Sequence, residues 1–158
     1  MKILIAFESK HGCTEACALK LKEKLGGTAD LLDLKKASAP PAEDYDIVAL
    51  GGSIHAGRVQ RRVKKFVENH TPWLTRRKFG LFLCCLEEGE GADKEFKEAF
   101  PEDLRNRAAA LGLFGGAVSF EKMNFLEKAI MKKIAKTDQS FSKVREDNIE
   151  GFAKALLS

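Results

Sequence analysis

Five short, mainly apolar runs recur along the chain: Ile3 to Phe7, Ala29 to Leu34, Ile47 to Leu50, Phe79 to Cys84 and Leu113 to Val118. Turn residues bound them, and segments of helical periodicity lie between, so the order reads strand, helix, strand and onward. A strand that is apolar on both faces must be covered on both faces. A parallel sheet between two helical layers does this, so the expected fold is α/β, an open doubly wound parallel sheet with helices on each side.

The first helix is expected from about Thr14 to Leu25, with Ala18, Leu21 and Leu25 facing inward and Gly26-Gly27 stopping it. Ala37 to Asp44, which holds Pro40-Pro41, reads as a loop or a degenerate helix. Val59 to Glu68 presents Val63, Phe66 and Val67 on one side, and Pro72 is expected to end that stretch. Pro101 is placed to start a helix carrying Leu104, Ala108 and Leu111, and Ile149 to Leu157 closes the chain as a last helix. The piece left over is Phe120 to Lys136. Met123, Leu126, Ile130 and Ile134 recur there at helical spacing, and Lys122, Lys128, Lys132, Lys133 and Lys136 take other positions, which makes a basic amphipathic helix. Such a helix either packs its stripe on the domain or meets a membrane surface or partner.

A length of 158 residues suits one domain, 1–158, and 44% hydrophobic with 32% charged residues is a globular rather than a disordered composition. No apolar run approaches the ~20 residues of a spanning helix, and Met1-Lys2-Ile3-Leu4 leads straight into a strand, so a cytoplasmic protein is expected. Cys13, Cys17, Cys84 and Cys85 are expected as thiols. Adjacent Cys84 and Cys85 would face opposite sides of a strand. Cys13 and Cys17 lie one helical turn apart near His11, but no second ligand pair of matching spacing follows, so no metal is expected. The formal charge of +4 suits an anionic partner. Nucleic acid ranks last among these, because no aromatic stacking platform or recognition motif accompanies the charge.

In an open α/β sheet, ligands bind beyond the carboxyl ends of the strands. After the first strand comes Ser9-Lys10-His11-Gly12-Cys13-Thr14, where a helix N-terminus with two hydroxyls can cradle a phosphate. The same hydroxyls could simply cap the helix. The endings of the P-loop and of the dinucleotide fingerprint are both missing. After the third strand, Gly51-Gly52-Ser53-Ile54-His55-Ala56-Gly57 is either a permissive turn or a surface cleared for a flat ring. After the fourth, Leu86-Glu87-Glu88-Gly89-Glu90-Gly91 is glycine-punctuated and acidic, as a solvated loop also is.

Taken together, these three loops resemble those of the flavodoxin-like FMN-binding family, and the resemblance covers essentially the whole chain. Within that family, the segment around Gly52-Ser53-Ile54, the helix with Val63-Lys64-Lys65-Phe66-Val67 and the basic helix with Ile130-Met131-Lys132 are most similar to the menaquinone-dependent protoporphyrinogen oxidase branch. The resemblance implies a flavodoxin-like five-stranded sheet of order 2-1-3-4-5 and FMN as cofactor. It implies that Ser9, His11, Gly12, Cys13 and Thr14 surround the phosphate, while Gly52, Ser53, Ile54, His55, Leu86, Glu87 and Glu88 frame the isoalloxazine; it assigns no catalytic residue. Many electron-carrying members flank the ring with aromatic residues. Here His55 stands in the first ring loop and none stands in the second; Trp73 and Tyr45 read as packing residues. The implied roles are electron transfer to a redox protein partner, or oxidation of an organic substrate such as protoporphyrinogen with a quinone acceptor. In the second role the 120–136 helix would touch the inner face of the membrane. The rival is a cofactor-free binding module of the same fold.

Overall fold

The computed structural model describes residues 1–42 and 44–158. Strands β1 (Ile3–Phe7), β2 (Asp30–Asp33), β3 (Ile47–His55), β5 (Lys78–Cys84) and β6 (Ala110–Leu113) form the parallel part of the main sheet in the spatial order β2-β1-β3-β5-β6. Counting only the parallel strands, this is the expected 2-1-3-4-5. Alternation along β1 shows why the runs are apolar throughout: Ile3, Ile5 and Phe7 pack into one helical layer, Leu4 and Ala6 into the other. The first layer comprises α1 (Cys13–Lys24) and α6 (Glu146–Leu157), whose Cys17, Ala18, Leu21, Phe152 and Leu156 meet Phe82 and Phe114. The second comprises α2 (Arg61–Leu74), α3 (Gly89–Ala99) and α4 (Glu102–Arg107), through Val63, Phe66, Phe96, Phe100 and Leu104.

Several boundaries differ from expectation. The helix from Pro101 stops at Arg107, and the fifth parallel strand is Ala110–Leu113 rather than Leu113 to Val118. Leu111 therefore belongs to this edge strand, half exposed, and not to the helix. Pro72 does not end α2, which continues to Leu74. It stands on the exposed side, where the carbonyl it leaves unpaired can turn to water, and the buried Leu74 holds the last turn in place. The third strand runs on to His55 and folds back through Ala56 and Gly57 onto β4 (Arg58–Val59). Positive φ at both turn residues, 51° and 73°, matches a two-residue hairpin, so the expected glycine loop is strand plus hairpin. In the 37–44 loop, position 43 lies outside the described residues.

Between β6 and α6 the chain makes an excursion that the parallel sheet does not need. β7 (Ala117–Val118) and β8 (Phe141–Ser142) pair antiparallel at its base. They carry a 3-10 turn at Phe120–Lys122 and α5 (Phe125–Ala135). The helix is shorter than the expected 120–136, because Asn124 caps it, accepting the Glu127 N–H at 2.8 Å. The buried Phe120 and a 3.0 Å bond from its N–H to the Ser140 hydroxyl anchor the segment. No residue of α5 is buried. No helix among the described residues is long and apolar enough to cross a membrane.

Candidate functional site

The turn after β1 is shaped from within. The Gly12 N–H donates to the Ser9 hydroxyl at 3.1 Å, and Gly12 takes φ 90°, a left-handed conformation that glycine adopts without penalty. Gly12 is the N-cap of α1, and no side chain caps that helix. The ladder begins with the Ala16 N–H bonded to the Gly12 carbonyl at 2.9 Å, so the N–H groups of Cys13, Thr14 and Glu15 precede it. Thr14 is buried, and its Oγ1 has no hydrogen-bond partner among the described residues. Neither hydroxyl therefore caps the helix: Ser9 serves the turn, and Thr14 holds an orphan oxygen. A buried oxygen left without a partner costs about 1–3 kcal/mol, which a ligand atom can recover.

Charge surrounds this helix end. The Lys122 ammonium, from the excursion, stands 3.0 Å from where a Cβ on Gly12 would lie. The buried Glu8 carboxylate bonds both the Arg62 N–H and the Arg62 guanidinium at 3.1 Å, tying the end of β1 to the start of α2. Glu127 of α5 accepts from Lys10 at 3.2 Å and pairs with His11 Nε2 at 2.7 Å. Burial raises the Glu127 pKa, but the hydrogen bonds from Lys10 and His11 outweigh it and hold the carboxyl below the usual range. The latch is therefore ionised at neutral pH.

Beside the turn lies a cavity of about 310 Å³. Ser9, His11, Cys13 and Thr14 line it from the first turn, Ser53, Ile54 and His55 from β3, and Leu86 from the end of β5. Gly12 sits in the turn itself. The other predicted residues lie outside the lining. A Cβ on Gly52 would come within 2.7 Å of Val63 Cγ2, so that glycine admits α2. The Glu87 carboxylate turns toward Gly91 in the first turn of α3, and Glu88 is the N-cap of that helix. Sequence reasoning missed the rest of the wall: Lys10, Ala56, Cys84, Cys85, Gly116 to Val118, Met123 before α5, and Glu127, Ile130, Met131 and Ile134 of α5. The apolar spacing of α5 was legible; its approach to the three loops was not. Ile130 and Ile134 line the cavity yet remain 51% and 63% exposed, so a ligand in the cavity would cover apolar surface that the protein leaves open. Among the described residues, no Phe, Tyr or Trp lines it.

His55 shares a 3.1 Å hydrogen bond with the Ser53 hydroxyl and stands edge-on to His11, with ring centroids 5.9 Å apart. Burial lowers its pKa, and Lys10 and His11 lower it further, so its imidazole is neutral at neutral pH. A neutral imidazole in a half-closed apolar cavity can accept a proton from a bound molecule. The chain thus offers an anion site at a helix end, contiguous with an apolar slot and one candidate base. An anion site beside an apolar slot is the donor set that a flavin mononucleotide needs.

Comparison with known proteins bears on this geometry. The profile of the family described as "Flavodoxin domain" matches residues 4–144. The chain is 23% identical over 155 residues to protoporphyrinogen IX dehydrogenase [quinone] of Escherichia coli strain K12, a match covering 93% of this chain and 86% of that protein. Among solved structures it superposes on oxidised flavodoxin 1 of Bacillus cereus with a TM-score of 0.58 at 19% identity, covering 99% of this chain and 97% of that one. The flavodoxin of Streptococcus pneumonia TIGR4 gives 0.57 at 16% identity, with 99% and 98% covered.

Proposed function

The chain belongs to the flavodoxin domain family, with FMN as the cofactor that membership brings, and from that premise we propose an oxidoreductase that takes hydrogen from an organic substrate and passes electrons to a quinone. Protoporphyrinogen is the substrate proposed, on the likeness to the Escherichia coli enzyme. The observation that carries the enzymatic reading over a simple electron carrier is the roof of the cavity: Ile130, Met131 and Ile134 of α5, with Met123 just before it, line the cavity in place of aromatic flanks. An apolar slot under α5 suits an organic substrate, whereas a carrier needs only an exposed ring edge.

Bound FMN supplies reversible acceptance of electrons from a carbon substrate and their release to a quinone. The protein's share follows from its own residues. The N–H groups of Cys13 and Thr14, the Thr14 hydroxyl and the Lys122 ammonium would hold the phosphate dianion; Ser53, Ile54 and Leu86 would bound the ring. His55, neutral and oriented by Ser53, would take the proton that leaves the substrate, and the α5 roof would keep water from the slot. On its outer side α5 shows Phe125 and Leu126 exposed beside Lys132 and Lys133, a combination that suits the anionic, quinone-bearing surface of a membrane.

The test is anaerobic. Flavin-loaded protein is mixed with protoporphyrinogen IX and menaquinone, and porphyrin fluorescence is followed against a flavin-only control. The proposal expects protein-dependent, quinone-dependent fluorescence that His55→Gln slows without loss of flavin. A flavin-loaded chain that reduces protein acceptors but leaves protoporphyrinogen unchanged would refute it in favour of a carrier.

A further inference from the structure

Cys13, Cys17 and Cys84 bring their three sulfurs within 4.8 Å of one another. Cys13 and Cys17 are one turn apart at the start of α1, and Cys84 ends β5 facing the same helical layer. Cys17 is fully buried and Cys84 is 2% exposed, among Phe7, Ala18 and Phe114; Cys13, half-buried, closes the group on the cavity side. Cys85, the next residue, turns elsewhere, its thiol directed at the Glu87 carbonyl at 3.7 Å. Among the described residues, no imidazole nitrogen or carboxylate oxygen joins the three sulfurs.

Packing alone does not require this convergence, since Ala18 fills a comparable place on the same helix with a methyl group. Donor type and number decide which ion such a site would take. Structural zinc is four-coordinate, and among the described residues no fourth side-chain ligand joins the three sulfurs. Calcium and magnesium need oxygen ligands. Soft sulfur donors select Cu(I), and a metal–thiolate bond of ~2.3 Å places three sulfurs ~4 Å apart around a trigonal centre. Small side-chain rotations reach that spacing from the one observed. We propose that Cys13, Cys17 and Cys84 form a three-coordinate thiolate site for a soft monovalent cation, Cu(I).

Binding forms sulfur–copper bonds and releases a proton for each thiol that ionises, with no change in oxidation state. The positive end of α1 at Cys13 offsets part of the negative charge gathered there. The flavin reading uses the N–H of Cys13 and not its sulfur, so either reading can fail alone.

The experiment is an anaerobic competition of the full-length protein against a coloured Cu(I) chelator, with loss of the chelate absorbance giving stoichiometry and affinity. One equivalent is expected to be withdrawn, accompanied by sulfur-to-copper charge-transfer absorption in the near ultraviolet. Cys17→Ser should weaken binding by at least roughly 100-fold, the upper range for losing even an outer hydrogen-bond partner of a ligand. Cys85→Ser should leave copper affinity unchanged. If circular dichroism shows that Cys17→Ser does not fold, Cys13→Ser, at the least buried of the three positions, carries the same decision. Failure to compete with the chelator, or equal copper affinity in a folded variant lacking one of the three thiols, overturns the site.

Discussion

Replacing Thr14 with valine separates the roles that sequence alone leaves open. The two side chains have nearly the same shape, so the substitution deletes one oxygen from a buried position and little else. In the chain without ligand, Thr14 Oγ1 has no partner and no side chain caps α1. Removing the oxygen therefore relieves desolvation, and the ligand-free protein should keep its stability or gain about 1 kcal/mol, the lower end of the cost of an unmet buried group. In the FMN complex the same oxygen would donate to a dianionic phosphate. A hydrogen bond to a charged group contributes about 1.5–3 kcal/mol, so FMN affinity should fall roughly 10- to 150-fold. Riboflavin, which lacks the phosphate, should bind Thr14→Val and the unmodified protein alike. Urea unfolding of the flavin-stripped protein and fluorescence titration with the two flavins give the three quantities. A variant less stable by about 1 kcal/mol or more, with FMN affinity intact, would refute the reasoning and return Thr14 to a structural role.

Five further outcomes follow from the same geometry. Gly51→Ala should cost about 3 kcal/mol in urea unfolding, the upper end for overpacking, because its Cβ would lie 2.4 Å from the Phe82 ring, itself stacked on Phe114 at 4.8 Å. Glu127→Gln removes the ionised latch between α5 and the first turn, so hydrogen exchange should quicken across 125–135 and stay unchanged in β1 and β3. Because the folded-state pKa of Glu127 is depressed, the latch is complete above the ordinary glutamate value and is lost as pH falls through the depressed one; exchange in α5 of the unmodified protein should rise only in that acid window. The imidazole of His55, followed by NMR, should titrate below the ordinary value of about 6.5, and a midpoint above it would contradict the effect of burial and of Lys10 and His11 on the ring. Lys122→Gln should weaken FMN several-fold and flatten its salt dependence while sparing riboflavin, since the ammonium faces the phosphate turn.

Much of the architecture could be read from the chain because burial leaves a local mark. β1 is apolar at every position, which states that both its faces are covered, and the order of runs then sets the winding. Where the mark is weak the reading slips. Ala110–Leu113 is a short edge strand with Leu111 toward solvent, and the stronger apolar run around Phe114 drew the expected strand onto a turn held by Gly115, whose φ is 75°. Pro72 misled in the same way, since a proline on the exposed side of a last turn reads like a stop when it is not one.

The site divides along the same line. Ser9, His11, Cys13, Thr14, Ser53, Ile54, His55 and Leu86 follow strands whose ends must meet, and they meet. Gly52, Glu87 and Glu88 belong to those loops but serve the packing of α2 and the start of α3, a difference of side-chain direction that spacing does not encode. The roof was recognisable as an amphipathic helix; which surface it covers depends on Glu127 reaching Lys10 and His11 across the fold. The meeting of Cys84 with Cys13 and Cys17 is long-range in the same sense.

The central claim, that the first turn and the α5-roofed slot form one flavin site, is tested most directly by titrating the flavin-stripped protein with FMN and with riboflavin and following fluorescence and the visible spectrum. The account predicts saturable binding of one FMN, with riboflavin weaker by at least the roughly 10-fold that one charge-assisted phosphate contact provides. No binding of either flavin would contradict it and leave a flavodoxin-shaped binding module that works without the cofactor.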